Sequence, residues 1–352
     1  MHASQQGRTV PPARRRSPKL ALLFISIVLA GCARTQAVFQ KGFTFSAWEV
    51  EEYRSDSVAQ QLGELRKGGV DWIALTPRWL QESKDSTEIY KHPRLSPSDE
   101  SIRHVIRLAH RFGLQVLLKP QLDLMDGGWR GEITFSEPDE WEPWFENYGR
   151  FIHHYADIAE AEGVAIFCVG VELDGTVHRE TAWRKIIRSV RERFSGALTY
   201  AANWGREEDI RWWDSLDYAG LDAYFPLSAK PGSEVPDLKQ AWAVHVGHLR
   251  SWASRVGKPV LLTEIGYRSV EYAAAEPWEW KRGGRVSLQE QSRLYQAALE
   301  VLWDESWLYG MYWWEWRPFR PVRVESDIGF TPQDKPAWEI LRSFYGQERS
   351  PR

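Results

Sequence analysis

The chain has 352 residues, with 45 basic against 48 acidic side chains and a formal net charge of −3. That near balance lacks the basic stripe carried by nucleic-acid binders, so no nucleic-acid partner is expected. The compositional outlier is tryptophan, 20 residues within an aromatic content of 13%, divided between core packing and flat platforms for a ligand.

At the N-terminus, Arg14, Arg15, Arg16 and Lys19 precede an apolar run from Leu20 to Leu29 that is too short to span a bilayer as a helix. Leu29-Ala30-Gly31-Cys32 resembles the bacterial lipoprotein cleavage box, in which the cysteine becomes the lipidated first residue. The resemblance implies a signal peptide over 1–31, lipidation at Cys32, and an exported bacterial lipoprotein held in the cell envelope by its acyl chains. Residues 32–40 read as a tether, and 41–347 as the folded domain. Cys168 is the one other cysteine. With Cys32 acylated no internal disulfide can form, and Cys168, inside an apolar run, reads as a small buried hydrophobe.

From there strand-like and helix-like segments alternate. Strands are expected over 42–48, 70–77, 114–122, 164–173, 197–204, 218–224, 259–267 and 308–316. Most are continuous apolar runs, the pattern of parallel strands covered on both faces. Helical stretches fall at 57–67, 99–111, 139–162, 179–194, 237–255 and 288–304, with a last helix at 336–345. The fifth and sixth strands are joined by a short connection, 210–216. Gly68-Gly69, Gly113, Gly163 and Gly257 stand where helices end before strands. Eight strands with their crossovers in one α/β domain predict a (β/α)₈ TIM barrel. An open doubly wound sheet ranks below, because no Gly-x-Gly-x-x-Gly turn follows the first strand.

Active sites of such barrels lie at the C-terminal ends of the strands. Those ends supply Trp48, Arg78-Trp79, Lys119 with Gln121 and Asp123, Glu172, Asn203-Trp204, Asp222 with Tyr224, Glu264 with Tyr267, and Trp313-Trp314-Glu315-Trp316. Carboxylates, cations, an amide and aromatic platforms together make a carbohydrate site. Glu172 and Glu264 each end an apolar run, a poor structural position and a good catalytic one. Glycoside cleavage needs two carboxyl groups, one protonated and one ionised, and their separation decides between retention and inversion.

Three segments carry a family resemblance: Val169-Gly170-Val171-Glu172-Leu173, Leu262-Thr263-Glu264-Ile265-Gly266-Tyr267-Arg268-Ser269, and Tyr312-Trp313-Trp314-Glu315-Trp316. They resemble clan A glycoside hydrolases, and within that clan family 113, whose known members are β-mannanases. By position, the resemblance implies a retaining enzyme with Glu172 as general acid/base and Glu264 as nucleophile. It implies that Tyr224 hydrogen-bonds the nucleophile and that Trp313 or Trp314 forms the floor under the sugar. Trp48, Arg78, Lys119, Asn203, Trp204 and Tyr267 are the further candidates for substrate contact. Many clan A enzymes have Asn immediately before the acid/base; here that position is Val171. Either another residue such as Asn203 supplies the 2-hydroxyl contact, or some transition-state stabilisation is lost.

The expected substrate is a β-linked hexose polysaccharide or oligosaccharide, with β-1,4-mannan first and other β-glycans as alternatives. A barrel that binds carbohydrate without turnover is the rival reading, and a salt-bridged structural carboxylate is the rival for either glutamate. Loop 273–285, with Tyr272, Trp278 and Trp280 in or beside it, is expected to wall the cleft. Asp123 and Asp126 are expected to cap a turn or touch a distal sugar. His153 and His154 are adjacent on a helix and point apart, and no metal-binding or phosphate-binding motif appears. No cofactor or catalytic metal, and a monomeric chain, are expected.

Overall fold

The eight expected strands close into a ring. In the computed structural model, which describes residues 2, 7, 39–228, 230–320, 323–347 and 349, the closed barrel uses β1 (Gln40–Phe45), β2 (Trp72–Leu75), β4 (Gln115–Leu118), β6 (Ile166–Val171), β7 (Ala197–Asn203), β8 (Ala219–Asp222), β9 (Val260–Ile265) and β10 (Leu308–Trp316). Every pairing around the ring is parallel. Cys32, the cleavage box and tether positions 32–38 lie outside the described residues.

Seven α-helices cover the strands: α1 (Val58–Lys67), α2 (Asp99–Arg111), α3 (Trp141–Ala161), α4 (Glu180–Arg191), α5 (Val235–Val256), α6 (Leu288–Leu302) and α7 (Pro336–Tyr345). Their starts follow local chemistry. Ser98 caps α2 by accepting from the Ser101 amide at 3.1 Å, and Ser287 caps α6 by accepting from Glu290 at 3.2 Å; a side-chain oxygen there satisfies an amide that has no partner within the helix. Gly257 ends α5 at φ 65°, a left-handed conformation that costs glycine little.

Two departures from the sequence reading bear on the site. The barrel takes in residues assigned to the tether: Phe39 and Gln40 are buried, and Gln40 accepts from the Tyr312 hydroxyl at 2.6 Å. The run 114–122 is two strands. Lys119-Pro120 interrupts it, because proline cannot donate to a ladder, and the chain resumes as β5 (Gln121–Leu124), paired with β3 (Arg78–Gln81) in a separate two-stranded sheet. The short connection expected between β7 and β8 is as read, with no α-helix and 3₁₀ turns at Glu207–Asp209 and Trp213–Ser215. Indoles cover that seam: Trp212 stacks on Trp183 of α4 at 5.2 Å, and Trp213 meets Trp252 of α5 edge-on at 5.7 Å.

Inside the ring, Ala74, Leu117, Ile166, Cys168, Val171, Ala201, Leu261 and Tyr312 form their own cluster, while the alternate strand residues join the larger core shared with the helices. Cys168 is fully buried there, and burial pushes its thiol up to about 12, consistent with a packing role.

Candidate functional site at the barrel mouth

Register sets the floor of the site. The end of β8 lies beside β9 with Asp222 opposite Glu264, which would force two carboxylates together. Lys119, one residue past β4 and still donating its amide to Leu75 O at 2.8 Å, reaches between them. Its ammonium is fully buried, 3.0 and 3.2 Å from the two oxygens of Asp222 and 2.6 Å from Oε1 of Glu264. Thr263 donates to Asp222 at 2.7 Å. Burial alone would lower the Lys119 pKa, but the charges of Asp222 and Glu264 outweigh it and raise the pKa above the ordinary lysine range. Asp222 is pushed well above the carboxylate range by burial and then by Glu264.

Glu264 receives two further donors, Tyr224 OH to Oε2 at 2.8 Å and Gln121 Nε2 to Oε1 at 3.3 Å. Three donors, two from the segment after β4 and one from the end of β8, fix the carboxylate in one orientation. Tyr224 makes the bond that the family resemblance implies.

Glu172 is held differently. It sits just past β6 at φ 50°, a region uncommon for a residue with a side chain. Its amide donates to Ala201 O at 2.9 Å, and the next amide, Leu173, donates to the Tyr200 hydroxyl at 2.9 Å. The carboxyl itself accepts from one indole, Trp129 Nε1, at 3.3 Å. Burial raises its pKa, Arg130 opposes that rise, and the charge of Glu264 adds to it. Glu264 is thus saturated with donors, while Glu172 is sparsely bonded and has a raised pKa, an asymmetry suited to acid/base work.

A second tier stands above the floor. Asp123 of β5 accepts from Arg78 at 3.3 Å and from Arg130. Arg78 also donates to Leu95 O and Trp48 O, with its guanidinium 5.0 Å from the Trp48 ring. Trp48 lies 6.0 Å from Trp314, both half-buried at the rim. The peptide after Trp314 is cis. Glu315, a further carboxylate at this end, accepts from Ser46 and pairs with Arg317 at 3.7 Å, which anchors it to the β1 end and the segment after β10.

Trp48, Arg78, Lys119, Asn203, Trp204, Tyr224 and Trp314 all gather at the mouth, but not all with free donors. Lys119 lies beneath the surface with its donors committed, so it builds the floor and does not contact a sugar hydroxyl. Asn203 donates to Asp174 at 3.2 Å, and Asp174 is raised to about 6 by burial. Tyr267 and Trp313 do not reach the mouth. Both are fully buried; Trp313 stacks on Tyr295 of α6 at 4.1 Å and Tyr267 lies 6.3 Å from the same ring. On β10 alternation explains this: Tyr312 lies in the inner cluster while Met311 and Trp313 join the core shared with the helices; Tyr267 lies two residues past the end of β9. Val171 is buried within the barrel cluster with Cys168 and Ala201.

Arg130 and Trp129 were not legible as site residues. The Gly127-Gly128 turn announces a loop, with Asp126 accepting from the Gly128 amide at 2.8 Å, but where that loop returns depends on the β3–β5 sheet. His153 bonds Ser189 and His154 bonds Asp99; among the described residues no cluster of three metal-type ligands forms.

Lys119→Met keeps the length and deletes the charge, leaving Asp222 and Glu264 buried against each other. The expected loss is about 3–5 kcal/mol of unfolding free energy, as for removal of one partner from a buried ion pair. Urea unfolding measures it, and a variant as stable as the parent would show that the lysine does not hold this floor together.

The profile of Glycoside Hydrolase Family 113 matches residues 42–334. Among solved structures, a GH113 β-mannanase from Alicyclobacillus acidocaldarius in complex with ManMIm is 33% identical, with a TM-score of 0.81 over 88% of this chain and 97% of that one. A GH113 β-1,4-mannanase complex is 27% identical, also with a TM-score of 0.81, over 88% of this chain and all of that one. The β-glucuronidase of Ruminococcus gnavus, 11% identical with a TM-score of 0.58 over 88% of this chain and 50% of that one, shares the fold alone. No curated protein matches. With the barrel matched from its first strand past its last, this chain belongs to glycoside hydrolase family 113 and is a glycoside hydrolase.

Proposed function

We propose that the chain is a retaining β-mannanase-type enzyme in which Glu264 attacks and Glu172 transfers the proton. The contrast between the two carboxyls carries this reading: Lys119, Gln121 and Tyr224 converge on Glu264, while Glu172 has a single indole partner and a raised pKa. A Glu264 oxygen bonds to the anomeric carbon as the bond to the leaving oxygen breaks, and Glu172 gives that oxygen its proton. Glu172 then takes a proton from water, whose oxygen displaces Glu264. β-1,4-Mannan is the favoured substrate, supported by the two solved GH113 mannanases. The fully donated Glu264 argues against a barrel that binds without turnover.

Glu264→Ala is expected to abolish turnover with folding intact. Glu172→Ala should recover activity with azide on an activated aryl β-mannoside and yield the β-configured glycosyl azide. Recovery through the α-azide from Glu172→Ala would reverse the two assignments.

Arg130 sets a pH dependence. Glu172 must be protonated for the first step, so kcat/KM falls as pH rises through its pKa. The positive charge of Arg130 pulls that pKa down; Arg130→Gln therefore moves the alkaline limb to higher pH. A limb that stays in place or moves down removes Arg130 from this role.

Export and lipidation at Cys32 are proposed from the basic residues, the apolar run and Leu29-Ala30-Gly31-Cys32. Metabolic labelling with palmitate should mark the parent and not Cys32→Ala; equal labelling of the two would reject the anchor.

A further inference from the structure

The loop between β9 and α6 crosses the mouth. In ring order, three strands separate β9 from β4 on either side, so the two lie diametrically opposed. Yet Lys281, in the loop that follows β9, donates from Nζ to the carbonyl of Gly127 at 2.9 Å, in the loop that continues from β4 through β5. On its way the loop lays Trp278 flat on Trp204, beyond β7, at 5.1 Å and 28°. It therefore passes over the half of the mouth that contains β6 and Glu172. The path is pinned from below. Arg268, 7% exposed, donates to the carbonyls of Glu279 at 3.0 Å and Arg282 at 2.6 Å, and to Ile328 O at 3.0 Å. Trp129, two residues past Gly127, turns its indole N–H to Glu172, so the fence formed by the two loops stands directly beside that carboxyl.

We propose that this fence bounds the leaving-group side of the cleft and makes the enzyme release short saccharides from the reducing ends of its substrate. The inference rests on Glu172 as proton donor. A general acid must stand beside the departing oxygen, so the leaving group lies on the side of Glu172, which is the fenced side. In a β-linked chain the leaving group carries the reducing end. A polymer cut in its middle would have to continue past the Trp204–Trp278 stack and beneath Lys281. The opposite half of the mouth, where Trp48 and Trp314 stand at the rim, has no such crossing among the described contacts and takes the rest of the chain. Loop shape of this kind governs which bonds of a chain reach the carboxylates, in keeping with the placement of specificity in loops on a rigid barrel.

The test uses oligosaccharides of increasing length labelled with ¹⁸O at the reducing end, in whichever β-linked series the enzyme cleaves. A wrong sugar thus defeats the mannan reading without touching this one. Mass spectrometry is expected to find the label in the shortest product at every chain length, and polymer digestion should release reducing sugar with little loss of viscosity. Lys281→Ala, and separately a glycine-serine replacement of 276–284, should raise internal cleavage several-fold, with thermal unfolding confirming that each variant is folded. Label spread over products of all sizes in the parent, or label retained in the long product, overturns the proposal. So does end-directed cleavage that persists unchanged in both folded variants.

Discussion

The mouth of this barrel depends on one ammonium group in a dry place. Lys119 is fully buried, and the two carboxylates it touches arrive there because parallel register sets the end of β8 against β9. Without the cation, Asp222 and Glu264 would be like charges in a low-dielectric pocket, an arrangement that costs several kcal/mol or forces one to protonate. With it, three strand ends are tied at one point. Alternation along β4 turns the lysine inward, since Leu117 faces the barrel interior and Leu118 the helix layer; Pro120 then ends the ladder.

The tier above is a second electrostatic layer with a separate purpose. Asp123 holds Arg78 and Arg130 on opposite oxygens, so a short sheet outside the barrel, β3 with β5, carries a fixed pattern of charge over the cleft. One of its cations leans toward Glu172 and the other braces the Trp48 rim. Barrel and small sheet thus divide the work: the barrel fixes the carboxyl groups, and the sheet positions the charges that modulate them.

Much of this was written in local sequence. Apolar runs ending on Glu172 and Glu264 located both carboxyls, because a charged side chain at the end of a strand buried on both faces has few structural uses. Helix-ending glycines located the strand starts. What escaped was geometry between distant segments. Trp313 and Trp314 are equivalent as neighbours in a list and opposite in space, and only the phase of the pleat assigns one to the rim and the other to α6. Tyr267 was misplaced for another reason: it lies past the end of β9, where the chain turns toward the helix layer. Arg130 and Trp129 sit after a double glycine, where the backbone is free to turn and local preference does not say toward what. The break at Lys119-Pro120 was visible as a proline; that it begins a second sheet was not, since the partner strand lies some forty residues earlier, at Arg78–Gln81.

The seam between β7 and β8 gives the tryptophan count another meaning. Where other crossovers lay a helix, this one lays Trp212 and Trp213 against Trp183 and Trp252, and ten of the 20 tryptophans are buried. The consequence is optical. Indoles stacked within a few ångströms couple electronically, so near-ultraviolet dichroism from this protein reports on the seam through Trp183–Trp212 and on the cleft through Trp204–Trp278. A sugar settling beside Trp278 and an opening of the β7–β8 seam would therefore each disturb one coupled pair, and the spectrum carries a reporter for either event.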